Sequence, residues 1–324
     1  MEFTDKIYIA GHKGLVGSAI IRLLQKKGYT NIITADSKTL DLREQLAVRD
    51  FFQKEKPQYI FMAAAKVGGI MANKTYGGEF IYDNLAIQNN VIHEAYKNGT
   101  EKLLFLGSSC IYPKHAAQPI REEYFMTGPL EPTNSPYAMA KIAGVEMCRA
   151  YHVQYGCRFI SVMPTNLYGP GDNYDLQNAH VLPALLRKFH EAKMNNDNTV
   201  TVWGTGNPRR EFLHVDDAAE ACLFLMDHYE DTSVINIGCG TDHSIGEMAE
   251  AIKYITGYKG GINYDTSKPD GTMQKLLSVQ KINDLGWKYS TDLMSGLKDT
   301  YTDFSNRYDH YIQKKHTGSL PYDV

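Results

Sequence analysis

Tyr137 and Lys141 stand four residues apart in Pro136-Tyr137-Ala138-Met139-Ala140-Lys141. On a helix, positions i and i+4 share a face, so a phenol and an ammonium would point at one spot. The ammonium would favour the phenolate and lower the pKa of the phenol. A phenol tuned this way can give or take a proton at a carbonyl oxygen near neutral pH, as reversible hydride transfer to a ketone requires. Upstream, Gly107-Ser108-Ser109-Cys110 follows a short apolar run. A serine hydroxyl there can bond a substrate carbonyl and steady a developing oxyanion. The Tyr–Lys spacing alone is a weak signal. The chain holds 22 tyrosines, and an exposed chance pair on a helix is worth only about 0.2–0.5 kcal/mol. The order along the chain gives it weight: a glycine loop, a serine-bearing strand end, then tyrosine and lysine.

The glycine loop is Gly11-His12-Lys13-Gly14-Leu15-Val16-Gly17, between a buried apolar run and an amphipathic helical pattern. Glycines at every third position allow a tight turn, close approach of a pyrophosphate and close helix–strand packing. The helix N-terminus then faces the phosphates. The spacing departs from G-x-G-x-x-G by one residue, but the strand–loop–helix context is the one a dinucleotide site needs. Asp36 ends the second apolar run, where an acid bonds the adenosine ribose hydroxyls and favours NAD. Lys13 and Lys38 lie close by and could hold a 2′-phosphate instead, so both cofactors stay open.

These residues need a scaffold of alternating strands and helices. Strands read at 6–10, 31–35, 59–63, 102–106 and 158–163 alternate with helices at 18–27, 46–54, 79–97 and 136–155. That is βαβ repetition, which predicts a Rossmann-type doubly wound parallel α/β sheet. Beyond Pro164 the pattern loosens. A helix reads at 181–193, a strand at 199–203 and helices at 216–229 and 244–255. The expected division is a dinucleotide-binding domain over 1–169, with a return segment at about 212–240. A smaller C-terminal α/β substrate domain would span 170–211 and 241–324. Residues 314–324 read as a frayed tail.

Composition narrows the class. Lys+Arg 34 against Asp+Glu 37 gives a net charge of −3, with no basic excess for a nucleic acid. Five scattered cysteines without C-x-x-C argue against a disulfide framework and fit a reducing cytosol. The 11 histidines show no metal-ligand spacing, so no metal is expected. No run of 18 apolar residues suggests a membrane span.

Taken together, the chain resembles the extended short-chain dehydrogenase/reductase family. Within it, the chain is similar to the epimerase-reductases of GDP-4-keto-6-deoxy sugars. The likeness runs through Ala10-Gly11-His12-Lys13-Gly14-Leu15-Val16-Gly17-Ser18 and Ala63-Ala64-Ala65-Lys66-Val67-Gly68-Gly69. It continues in Leu106-Gly107-Ser108-Ser109-Cys110-Ile111-Tyr112-Pro113, the Tyr137–Lys141 helix and Met163-Pro164-Thr165-Asn166-Leu167-Tyr168. Arg210-Glu211-Phe212-Leu213-His214-Val215-Asp216-Asp217 and Lys268-Pro269-Asp270-Gly271 complete it.

The resemblance implies roles. Tyr137 would be the proton donor to the C4 oxygen, Lys141 its partner and a cofactor-ribose contact, and Ser108 the oxyanion donor. Cys110 and His180 would be the epimerisation acid and base. By their own sequence context, one could be a plain small residue and the other a helix start. NADP(H) would lie along the glycine loop, Asp36, Ser37, Lys38, Asp41, Leu42, Leu106, Gly107, Ser108, Ser109, Pro164, Thr165, Asn166, Leu167 and His180. Lys188, Trp203, Arg210 and Ser278 would hold the sugar nucleotide, and the two long helices would pair a homodimer. Two departures bear on specificity. The family usually has an arginine where this chain has Asp36-Ser37-Lys38, and commonly an aspartate at Ser278. The alternative is a C4-reductase without epimerase activity, acting on a GDP-4-keto-6-deoxy-heptose or similar sugar.

Overall fold

The computed structural model describes residues 1–313 apart from Gln177 and Pro269. The expected tail at 314–324 and one member of the Lys268-Pro269-Asp270-Gly271 turn therefore lie outside the described residues.

The strand Ile7–Ala10 is buried at every position. Such unbroken apolar strands belong in the middle of a parallel sheet covered on both faces. The sheet has six parallel strands in the order Ile32–Ile33, Ile7–Ala10, Tyr59–Met62, Lys102–Leu106, Arg158–Pro164, Ile235–Ile237. From Ile7–Ala10 the chain goes first to one side, to Ile32–Ile33, and then to the other. The crevice between Ala10 and Met62 is therefore the point where strand order reverses, the place where open α/β sheets bind ligands.

Alternation along each strand feeds two cores. Tyr8 and Ala10 join Phe52, Phe105 and Val145 on one face. Ile7 and Ile9 join Leu24, Phe61 and Cys222 on the other. The helices Gly77–Lys97 and Ser135–Tyr155 lie side by side on the first face. Gln88 Nε2 of one donates to Ala140 O of the other at 2.6 Å. Gly144 makes this approach possible, since a Cβ there would overlap Phe105.

A third core, with Leu182, Phe189, Val202, Met248 and Phe304, fills the C-terminal part. Over the junction lies a second sheet built on Arg209–His214. Asp242–Ser244 flanks it antiparallel, and Gln274–Lys275 and Asn166–Tyr168 pair with it in parallel. Thr199–Trp203 pairs in parallel with Gly261–Asp265.

The structure corrects several sequence expectations. The strand expected at 31–35 contracts to Ile32–Ile33 at the sheet edge. The helix expected from Ser18 starts at Leu15, so the third glycine lies in its first turn. Arg209–His214, Gln274–Lys275 and Asp242–Ser244 were not legible because charged and polar residues fill them. Pairing with neighbours, not apolar alternation, makes them strands. No described helix is long and apolar enough to cross a membrane.

Glu211 ties the two sheets together. It is fully buried. Its Oε1 accepts the backbone N–H groups of Cys239 and Gly240, both at 2.7 Å, and its Oε2 accepts that of Leu277 at 3.0 Å. Thr165 Oγ1 and Asn166 Nδ2 donate to its carbonyl oxygen at 3.3 and 2.8 Å. Glu211→Ala would leave three backbone donors without this acceptor. At about 1–3 kcal/mol for each buried unsatisfied group, we expect a stability loss on the order of 3 kcal/mol or more. Urea unfolding checks this, and an unchanged midpoint would refute it.

Candidate active site

At the switch point the glycine loop presses directly on the neighbouring strand end. Gly11 has φ +82°, and a Cβ on it would lie 2.6 Å from Ala64 N. A Cβ on Gly17 would overlap Gly11 O. These two glycines are therefore demanded by close approach. Gly14 caps the helix Leu15–Lys26 with no side-chain bond to its first turn. The free N–H groups of that turn make an anion cradle. A diphosphate matches this donor set of backbone N–H groups.

Beside the loop, Lys13 Nζ lies 3.0 Å from Asp36 Oδ2, while Asp36 Oδ1 accepts the N–H groups of Lys38 and Thr39 at 3.1 Å each. The hydrogen bond from Lys13 is the main reason that the Asp36 carboxyl is held down to about 2. Both of its oxygens are thus engaged within the loop. Burial, reinforced by Lys13, lowers the His12 imidazole pKa. Ser37 is half-buried. Asp41 is forked by Arg43, whose Nη2 stands 2.7 Å from Oδ2. Leu42 turns its side chain into the core.

The strand Lys102–Leu106 delivers the next group. Gly107 lies so close to Met163 that a Cβ would overlap it. Ser108 Oγ accepts the backbone N–H of Cys110 at 3.2 Å, opening a single turn over Ser109–Ile111. Ser109 itself is buried. Pro164 ends the strand Arg158–Pro164, and Thr165 and Asn166 are tied to Glu211, with Leu167 half-buried beyond them.

The helix Ser135–Tyr155 brings Tyr137 and Lys141 to this strand end. Lys141 is 3% exposed, and its Nζ donates to Leu106 O at 2.8 Å. The same Nζ lies 4.8 Å from the Phe105 ring centroid and 5.9 Å from that of Tyr137. Burial lowers the Lys141 amine to about 7. The sequence-based expectation for Tyr137 is corrected. Burial pushes its phenol up, the nearby Cys110 adds to this, and a bond with Ser108 only partly opposes it. Desolvation outweighs the lysine, which is turned to Leu106 O. The pair is thereby set toward a neutral phenol and a neutral amine, so the phenol keeps the proton it could donate.

Cys110 Sγ is met by Asn134 Nδ2 at 3.3 Å and by Lys275 Nζ at 3.5 Å. His180 is the N-cap residue of the helix Val181–Asn195, makes no side-chain bond to its first turn and is exposed. Crowding by the surrounding protein lowers its pKa, and Lys275 lowers it further. Lys275 is therefore the neighbour shared by Cys110 and His180. Sequence reasoning assigned it no role. Only the register of Gln274–Lys275, which places Lys275 beside Arg210, brings it here. Asn134 was likewise missed.

Of the expected sugar-nucleotide residues, Arg210 faces Cys110 closely enough for the sulfur to influence it, although burial lowers its pKa. Lys188 Nζ donates to Thr201 O at 3.1 Å and lies 5.2 Å from the Trp203 ring centroid. Trp203 is half exposed and has Lys268 Nζ at 5.7 Å on its ring as well. An exposed indole between two cations can stack on a planar base. Ser278 is not brought to this group. It lines a separate groove with Arg121, Glu146, Arg149 and Lys281, and its N–H bonds Ile120 O at 2.8 Å.

Comparison with known proteins accords with this geometry. Residues 7–238 match the model of the NAD dependent epimerase/dehydratase family. "Putative GDP-L-fucose synthase 2" of Arabidopsis thaliana is 55% identical over 315 residues, covering 97% of this chain and 95% of that protein. A GDP-6-OMe-4-keto-L-xylo-heptose reductase from C. jejuni superimposes with a TM-score of 0.90 at 40% identity, covering 95% of this chain and 99% of that one. A GDP-L-fucose synthetase from Naegleria fowleri bound to NADP gives 0.89 at 34% identity, covering 95% of each chain.

The buried amine carries a pH signature. Its folded-state pKa of about 7 lies below the 10.5 ordinary for a lysine. Burying the charged form therefore costs stability in full below pH 7. The cost fades as pH rises toward 10.5, because over that range the unfolded chain binds the proton and the folded one does not. Thermal unfolding of wild type and Lys141→Met should differ least in favour of wild type at pH 6 and most at pH 10. A difference that does not change with pH would refute a neutral buried Lys141.

Proposed function

The chain belongs to the NAD-dependent epimerase/dehydratase family, and from that premise we propose that it is an epimerase-reductase of a GDP-4-keto-6-deoxy-hexose. It exchanges protons at C3 and C5 and reduces C4, giving GDP-L-fucose or a close relative. The observation that carries the reading is the joining of two sets of groups in one pocket. Tyr137, Lys141 and Ser108 would serve a carbonyl oxygen, and beside them Cys110 shares the neighbour Lys275 with His180, which supports proton transfer at the adjacent carbons.

The chemistry follows from those positions. A C4 ketone acidifies the protons on C3 and C5. Ser108 and Tyr137 hold the C4 oxygen while negative charge collects on it. Cys110 and His180 remove and return protons at the adjacent carbons; a thiol and an imidazole both work near neutral pH. NADPH, when bound, supplies the hydride for C4. Tyr137 then gives its proton to the C4 oxygen, and the Lys141 amine on the same helix face can take up a proton to offset the phenolate left behind.

The glycine cradle and the segment 1–169 with 212–240 would hold the cofactor, and the remainder the sugar nucleotide. Lys188, Trp203 and Arg210 fit the guanine and diphosphate by charge and stacking. NADP(H) is supported by Lys13 and Lys38 beside Asp36 and by the NADP-bound relative. Exposed Tyr82, Met139 and Val153 on the helices Gly77–Lys97 and Ser135–Tyr155 support pairing of two copies there. Five free cysteines support a cytoplasmic setting. A reductase without epimerase activity, acting on a heptose, is favoured by the heptose-reductase neighbour; loss or presence of solvent exchange separates the two.

Tyr137→Phe should lower C4 reduction by about 10²–10⁴-fold, the usual loss for a general acid, with cofactor affinity little changed. Cys110→Ser should lose deuterium incorporation beside the ketone in heavy water while still reducing the unepimerised sugar. NMR and mass spectrometry of the products read both. Wild type that incorporates no deuterium at C3 or C5 of any GDP-4-keto sugar would replace this reading with the reductase. The ratio of kcat/KM should favour NADPH over NADH, because Asp36 is already neutralised by Lys13. A clear NADH preference would mean that Asp36 turns to the ribose hydroxyls.

A further inference from the structure

Gly69 sits where the 66–69 loop touches the segment that precedes His180. Its N–H donates to Asn178 O at 2.9 Å. A Cβ built on it would lie 2.9 Å from Ala179 O and 3.4 Å from Asn178 O. Its φ of −66° suits any residue, so only the neighbouring segment excludes a side chain. That segment leads directly into His180, the N-cap of the helix Val181–Asn195.

Residues 66–69 are held from the opposite side. Lys66 N–H donates to Asn84 Oδ1, and Asn84 Nδ2 donates back to Lys66 O, both at 3.0 Å. Lys66 Nζ lies 2.6 Å from Glu79 Oε2 and 2.9 Å from Asp83 Oδ2. Asn73 Nδ2 donates to Gly68 O at 2.6 Å and Gly69 O at 3.1 Å. The loop is thus a stiff spacer between the helix Gly77–Lys97 and the segment carrying His180. Tyr137 is set by other contacts: Phe80, edge-on at 6.4 Å between ring centroids, and its own helix.

From this geometry we infer that Gly69 is a positioning residue for His180, fixing how far the imidazole stands from Cys110 and the substrate ring. The inference rests on the reading of His180 as a proton-transfer group. An added methyl must push the 178–179 segment away by several tenths of an ångström to regain ordinary contact. Misplacing a reacting group by about 1 Å can cost on the order of 10²-fold in rate. The loss falls on proton exchange and spares hydride delivery, because Tyr137, Lys141 and Ser108 do not lean on this contact.

The test compares Gly69→Ala, Asn84→Ala and His180→Asn on a GDP-4-keto-6-deoxy sugar with NADPH in heavy water. NMR reads deuterium at C3 and C5 and product stereochemistry, and absorbance reads NADPH consumption. Gly78→Ala is the control, since a Cβ there meets nothing within 4 Å. Gly69→Ala should lower exchange about tenfold relative to reduction and shift product toward the unepimerised form. Asn84→Ala, which loosens the same loop from behind, should shift it the same way. A merely destabilised enzyme would lose exchange and reduction in proportion. If His180→Asn changes the partition and neither loop variant does, the positioning role is overturned and the reading of His180 stands. If His180→Asn also leaves the partition unchanged, the reading itself falls, and the inference with it.

Discussion

The buried carboxylate of Glu211 is the constraint on which the site depends. A charge fully removed from water persists only where donors surround it, and here three backbone N–H groups do so. Burial still raises its pKa, and those bonds oppose the rise. They come from two different places: the turn after the last strand of the main sheet, and the strand-like segment ending near Leu277. Gly238 must be glycine, because a Cβ would overlap the carboxylate. One side chain therefore locks the second sheet onto the first. Arg210, next in the chain, and Lys275, across the ladder, take their places from that lock.

A second constraint is desolvation at the Tyr137–Lys141 pair. In water, an ammonium four residues away would pull a phenol toward ionisation. Here burial acts on both groups and drives each toward its neutral form, the tyrosine up and the lysine down to about 7. The Leu106 carbonyl holds the amine, and the strand end that supplies it leads straight into Ser108. Tyr137, Lys141 and Ser108 are thus assembled by one strand–helix contact, on a helix packed tightly enough to need Gly144.

Cys110 and His180 are assembled differently. They come from the turn after Lys102–Leu106, an interior strand of the sheet, and from a helix start far along the chain, and Lys275 stands between them electrostatically. The pocket therefore has a rigid half, built on the parallel sheet, and a half built by docking loops onto it. In the proposed reaction the first half would serve the carbonyl oxygen and the second the carbons beside it. Such a division would let one pocket hold the two proposed chemistries, with their geometries set by separate contacts.

The sequence by itself determined what local periodicity and local spacing encode. Apolar runs alternating with amphipathic helices specified the parallel sheet, because a strand covered on both faces must be apolar throughout. The glycine spacing specified the cradle, since Gly11 and Gly17 answer to contacts within a few residues or one strand away. Tyr137 and Lys141 were legible because a helix fixes i and i+4 on one face. Only the tertiary structure decided the rest. The pKa shift of Tyr137 reversed because burial is a property of the packed molecule. Arg209–His214 and Gln274–Lys275 are strands through partners distant in the chain, which no periodicity announces. Lys275 met Cys110 across 165 residues, and Ser278, three positions later, was carried to a different groove. Spacing along a chain fixes neighbours within one element, whereas neighbours between elements are set by register and burial, which exist only once the chain has folded.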